Sequence, residues 1–283
     1  MKQWFRRGLA LVGVIVCLGA SGRVLAQAAP YVADLPEVRD ARYRYVPGLA
    51  YAEPSDGTAR EIDLYVPIDT LSPLVVWFHG GGLTGGNPNL PDGLREQGLA
   101  VAMVRYRLGG DVSVREKVRD AAAAVAFLLG EEGYGYRADQ VAVTGHSAGG
   151  YLAAMVTMDT SLLGAHGRHP DELLASVPLS GHAITHFTER AARGMPATQA
   201  VVDSLAPLYH VREVATPMLL ITGDRDLELY GRYEENAYFW RMLQLAGNPD
   251  VEHFELEGYG HQMVAPAMPL VVKFVRGRVG ASQ

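Results

Sequence analysis

The chain has 283 residues, with 25 Lys and Arg against 31 Asp and Glu and a single Cys. That length suits one domain with a substantial core. The acidic balance argues against a nucleic-acid partner, and one Cys rules out an internal disulfide framework.

Met1 to Arg7 carries Lys2, Arg6 and Arg7, and Gly8 to Ala20 is an apolar run too short to span a bilayer comfortably. Val24-Leu25-Ala26 then offers small or β-branched residues before a cleavage point, so residues 1–26 read as a secretory leader cut after Ala26, with Ala28 as the alternative. Export to the periplasm or the exterior follows, with no stable membrane association after cleavage. Cys17 sits inside the apolar run, and Ile15-Val16 lacks the small residue that lipid attachment needs, so a mature chain of 27–283 is cysteine-free and carries a net charge of −10.

Periodicity predicts strands near 43–51, 60–67, 74–79, 99–107, 140–145, 174–180, 217–223 and 251–257, and helices near 113–130, 147–159, 232–246 and 264–277. In the first helix Val114, Val118, Ala121, Ala122 and Val125 recur at three- and four-residue intervals, leaving Arg115, Glu116, Lys117 and Arg119 to face outward. From residue 74 onward strands and helices alternate, the pattern of a mostly parallel sheet with helices on both faces. The two earlier strands are expected as an antiparallel edge. The loop-rich stretch His182 to Asp203 is the expected small cap.

Leu74-Val-Val-Trp-Phe-His79-Gly80-Gly81-Gly82 runs an apolar strand straight into a His and three glycines. Such a loop can present bare backbone amides to a developing oxyanion, and the expected donors are Gly81 and Gly82, with His79 organising the loop. Gly80-Gly81-Gly82-Leu83-Thr84-Gly85 also satisfies a dinucleotide-binding spacing, but Gly86 to Pro91 continues as loop where a helix should open, and the next strand carries Arg105 and Arg107 where a ribose needs an acid. No cofactor is expected.

Thr144-Gly-His-Ser-Ala-Gly-Gly150 follows Gln140-Val-Ala-Val143 directly. A serine on a sharp strand-to-helix turn needs small residues at minus two and plus two, here Gly145 and Gly149. Ser147 is therefore the expected nucleophile, with the Ala148 amide completing the oxyanion donors. An acid and a histidine should follow in that order. Pro217 to Gly223 is a buried-strand pattern ending in Asp224-Arg225-Asp226, and Val251 to Glu257 leads to Gly258-Tyr259-Gly260-His261. His261 is the expected base and Asp226 its partner, with Asp224 and then Glu228 as alternatives. His182 and His186 share a helical spacing without the Glu of a zinc-protease motif, so they are read as structural, and no metal is expected. Tyr106, Tyr151, His182 and Phe187 are candidates to line the substrate pocket.

With these residues in hand, the chain resembles the α/β-hydrolase superfamily, and within it the serine esterases that carry a His-Gly-Gly-Gly loop. Val104 to Leu108, Asp120 and Asp139 extend the likeness. It is also similar to a small carbohydrate-esterase-like group in which Asp224-Arg225-Asp226 leads to Gly231 to Ala237. That group carries Glu at the position matching Asp226, a variation that fits a carboxylate role. The resemblance implies an α/β-hydrolase catalytic domain over 27–283, acting on a small-molecule or carbohydrate ester, short-chain or sugar-linked, through an acyl-enzyme. The alternative is an amide hydrolase, arylformamidase-like or peptidase-like, using the same triad.

Overall fold

The computed structural model describes residues 42–53, 58–229 and 231–279; the leader expected over 1–26 lies outside them. Eight strands form a single sheet: β1 (Tyr43–Ala50), β2 (Glu61–Pro67), β3 (Ser72–Phe78), β4 (Ala100–Val104), β5 (Tyr136–His146), β6 (Ala175–Leu179), β7 (Met218–Gly223) and β8 (Val251–Leu256). Their order is β1-β2-β4-β3-β5-β6-β7-β8. β2 pairs antiparallel with both β1 and β4, while the β3–β4 pair and every pair from β3 to β8 are parallel. The strand predicted over 99–107 is shorter, Ala100–Val104, although the Arg105 amide still donates to the Glu61 carbonyl of β2 at 2.8 Å.

A central strand covered on both faces has no reason to alternate polar with apolar, and β3 shows this. Leu74, Val76 and Phe78 pack into one core with α1 (Val114–Gly130) and α2 (Ala148–Met158), while Val75 and Trp77 pack into a second with α6 (Val264–Arg278). A third cluster joins α5 (Arg232–Leu245) to β7 through Phe239, Leu243, Met218 and Leu220. The predicted helices on both faces are thus present. Two short helices were not expected from the periodicity: α3 (Thr160–Gly164), and α4 (Phe187–Ala192) within the stretch read as a cap.

α1 starts on a capping box, the Glu116 amide donating to Ser113 Oγ at 3.2 Å and the Ser113 amide to the Glu116 carboxylate at 3.0 Å. Lys117 departs from its expected outward position. It is buried, its ammonium donating to the Gly109 carbonyl at 2.7 Å, so its stem covers apolar surface while its charge stays hydrogen-bonded. The parallel strands β3, β5, β6, β7 and β8 all end at one edge of the sheet, and every loop that matters below leaves from that edge.

Candidate active site

Ser147 follows β5 at φ 57°, ψ −115°, a region that few non-glycine residues occupy. The turn is so tight that a Cβ at Gly149 would lie 1.9 Å from the Phe78 carbonyl oxygen, and one at Gly145 would lie 2.5 Å from the same atom. Both positions therefore have to be glycine. The Ser147 amide donates to the Leu179 carbonyl at 2.9 Å, which ties the elbow to the end of β6.

His261, five residues past β8, brings its Nε2 to 2.9 Å from Ser147 Oγ. Its Nδ1 faces a carboxylate, so Nδ1 carries the proton and Nε2 is left to accept from the serine hydroxyl. That carboxylate belongs to Glu228, whose Oε2 is 3.0 Å from Nδ1. The expectation of Asp226 is corrected here. Asp226 is exposed, and its side chain has no hydrogen-bond partner among the described residues; only its amide is engaged, with Asp224 Oδ1 at 2.9 Å. Asp224 holds the turn instead, its other oxygen accepting from the Gly258 amide at 2.8 Å and its carbonyl from the Leu227 and Glu228 amides. The chain thus makes a helical turn past the strand, and only the longer side chain at 228 reaches back to the imidazole.

Glu228 is saturated with donors. Oε2 accepts from His261 and from the Leu229 amide at 2.8 Å, while Oε1 accepts from Ser180 Oγ at 2.5 Å and the Gly223 amide at 3.3 Å. Burial alone would raise its pKa, but the hydrogen bonds from His261, Ser180 and the Leu229 amide outweigh that and hold the carboxyl at about 2. Ser180, fully buried at φ 46° just past β6, also lies 3.0 Å from His261 Nδ1. Its hydroxyl donates to the carboxylate while its lone pair shares the imidazole proton. The only sequence signal for Ser180 is a hydroxyl directly after a buried strand at the edge that carries the site.

His146, between Gly145 and Ser147 in the elbow, makes a second contact with His261. Its Nε2 lies 2.7 Å from the His261 carbonyl oxygen and its ring centroid 4.7 Å from that of His261. Burial, reinforced by neighbouring His261, lowers its pKa to about 4, so it donates to that carbonyl as a neutral ring.

The glycine loop backs onto the elbow. A Cβ at Gly80 would lie 3.5 Å from Ser147 Cβ, and one at Gly81, where φ is 115°, would strike the Gly85 carbonyl oxygen at 2.2 Å. His79 Nδ1 is 2.7 Å from the Gly80 oxygen, and burial lowers its pKa, so the neutral ring donates there. The amides of Gly81, Gly82 and Ala148 have no protein acceptor among the described residues.

Of the four expected pocket residues, three are corrected to buried supporting positions. Tyr106 stacks on His79 at 4.6 Å and donates to the His79 carbonyl at 2.8 Å. Tyr151 is fully buried and donates to the Leu205 carbonyl at 2.8 Å. His182 Nε2 accepts from Arg232 at 2.9 Å, which leaves Nδ1 to donate to Glu235 at 2.8 Å. Phe187 alone is open to solvent, at 39% exposure. Among the described residues no group of three or more His, Cys, Asp or Glu side chains is arranged to hold a metal ion, and no helix is long and apolar enough to cross a membrane.

A family model described as BD-FAE matches residues 62–172. The esterase LipC of Mycobacterium tuberculosis is 26% identical over 216 residues, covering 69% of this chain and 52% of that one. The carboxylic ester hydrolase LipN of the same species is 32% identical over 162 residues, covering 53% and 39%. A probable isoprenylcysteine alpha-carbonyl methylesterase of Oryza sativa subsp. japonica is 28% identical over 151 residues, covering 48% and 36%. The chain thus spans between a third and about half of the length of these relatives. Among solved structures, the propionate-bound esterase 2 of Thermogutta terrifontis superposes with a TM-score of 0.68 at 21% identity, over 85% of this chain and 95% of that one.

Proposed function

We propose that this chain, which has the α/β-hydrolase fold of the solved esterases it superposes on, is a serine hydrolase of carboxylic esters. The observation that carries the reading is the unbroken chain of contacts from Ser147 Oγ through His261 to Glu228, at 2.9 and 3.0 Å. The similarity to LipC and LipN, both named as ester hydrolases, supports it.

In this reading His261 Nε2 takes the Ser147 proton as Oγ attacks the ester carbonyl carbon. The carbonyl oxygen then carries the negative charge, stabilised by the uncommitted amides of Gly81, Gly82 and Ala148. Collapse of the tetrahedral species breaks the bond to the alcohol oxygen, which receives its proton from His261. Water, deprotonated by the same imidazole, then frees the acid and restores the serine. Glu228 stays ionised and stabilises the imidazolium formed in each half-reaction. The small cap favours esters of short acids, sugar-linked acetates among them. Export rests on the leader read over Met1 to Ala26.

Initial rates of wild type and Ser147→Ala on p-nitrophenyl acetate test the activity, with formamides and dipeptide amides as competing substrate classes. Esterase turnover that falls at least a thousandfold in the variant is expected. Comparable turnover by the two proteins, or amide turnover exceeding ester turnover, would contradict the reading.

A further inference from the structure

We propose that Phe187, the first residue of α4, is the wall that limits the length of the acyl group; the proposal rests on the hydrolase reading above. A Cβ placed on Gly82 would lie 3.1 Å from Phe187 Cζ, so the rim of the ring is in contact with the backbone of the oxyanion loop. The next residue fastens the same helix to that loop, Thr188 Oγ1 donating to the Gly82 carbonyl at 2.6 Å.

The geometry of acyl transfer assigns the two sides of the site. The leaving oxygen has to be reached by His261 Nε2, so the alcohol lies toward His261, whereas the carbonyl oxygen lies toward the Gly81 and Gly82 amides. In this assignment the remaining substituent of that carbon, the acyl chain, is directed neither at His261 nor into the amides and runs past the ring that stands beside Gly82.

On its buried side the ring is backed by two histidines. Its centroid lies 4.5 Å from that of His186 and 5.6 Å from that of His182. His182 is clamped between Glu235 and Arg232, and Glu235 further accepts from the Ala183 and Ile184 amides at 2.9 and 3.1 Å. His186 is buried, its Nδ1 accepting from the Thr188 amide at 3.2 Å. A wall backed by a hydrogen-bonded network rejects an extra methylene by overlap, because the network cannot yield without stranding buried polar groups.

The test measures kcat/KM for wild type, Phe187→Leu and Phe187→Ala on p-nitrophenyl acetate, butanoate and hexanoate. A second series holds the acyl group at acetate and lengthens an alkyl alcohol. The fraction of reactive Ser147 is titrated with a fluorophosphonate, so that misfolded protein drops out of the comparison. Phe187→Ala should raise the hexanoate-to-acetate ratio roughly tenfold or more, Phe187→Leu less, and neither should move the alcohol series more than about twofold. An unchanged acyl ratio in fully titratable Phe187→Ala, or a change confined to the alcohol series, would overturn the role given to Phe187 and leave the hydrolase reading intact. Failure of wild type to react at Ser147 would overturn both.

Discussion

Replacing Glu228 by Gln removes the charge opposite His261 while keeping the side chain's length. Two amide orientations are available. With the amide oxygen at the Oε1 position, the NH2 group faces His261 Nδ1 and the Leu229 amide, which is donor against donor, and the imidazole is driven to the tautomer that cannot accept from Ser147. With the oxygen at the Oε2 position the imidazole contact survives, and the NH2 faces Ser180, whose hydroxyl can rotate to accept, and the Gly223 amide at 3.3 Å. Geometry is then kept but the charge is lost. Two unit charges about 4 Å apart in a partly buried site interact by about 4 kcal/mol, and amide replacement of a triad carboxylate elsewhere costs about ten-thousandfold. Glu228→Gln should therefore lower kcat on p-nitrophenyl acetate by about 10³- to 10⁴-fold with little change in KM. Asp226→Asn, altering an exposed side chain, should stay within about threefold of wild type. A loss in Asp226→Asn equal to or larger than that in Glu228→Gln would refute the assignment of the acid.

Other outcomes follow from the same contacts. Ser180→Ala removes a donor to Glu228 and a partner for the shared imidazole proton, and should lower kcat about tenfold at constant KM. Ser180→Gly, which also releases the strain of φ 46°, should fold more stably than Ser180→Ala yet be equally slow; recovery of kcat in the glycine variant would show that conformation rather than the hydroxyl matters. Glu228 also makes stability depend on pH. Its pKa is near 2 when folded against about 4.3 when free, so its contribution, on the order of 3 kcal/mol, is complete above the free value and is lost as pH falls from there toward 2. Urea midpoints should show wild type well ahead of Glu228→Gln at pH 7 and much less so at pH 3. A gap that widens on acidification would contradict the depressed pKa.

The parts of the site legible in the sequence were those where backbone geometry dictates residue type. Gly145 and Gly149 are fixed by the Phe78 carbonyl, the strand that positions Ser147 carries the buried run from Val141 to His146, and the one that positions His261 alternates as Val251-Glu-His-Phe-Glu-Leu256 before a glycine turn. The acid was misplaced because the sequence gives distance along the chain, whereas the turn held by Asp224 folds the chain back and makes side-chain reach the deciding quantity. Glu228 stands between Leu227 and Leu229, without the neighbouring charges that drew attention to Asp224-Arg225-Asp226. The burial of Lys117, Tyr106, Tyr151 and His182 was hidden for a related reason: each has an apolar body and a polar tip, and its partner is a carbonyl or carboxylate outside its own element, in the loop before the helix for Lys117 and much farther along the chain for the other three. Six residues of α4 are too few to show a period, so the helix carrying Phe187 was invisible until the cap had a shape.

Treatment with a fluorophosphonate, followed by intact-mass measurement and peptide mapping, bears most directly on the idea that Ser147 is activated by His261 and Glu228. One adduct per chain is expected, located on Ser147, formed rapidly in wild type and at least a hundredfold more slowly in His261→Ala. An adduct on another residue, or labelling of Ser147 that is indifferent to loss of the imidazole, would contradict it.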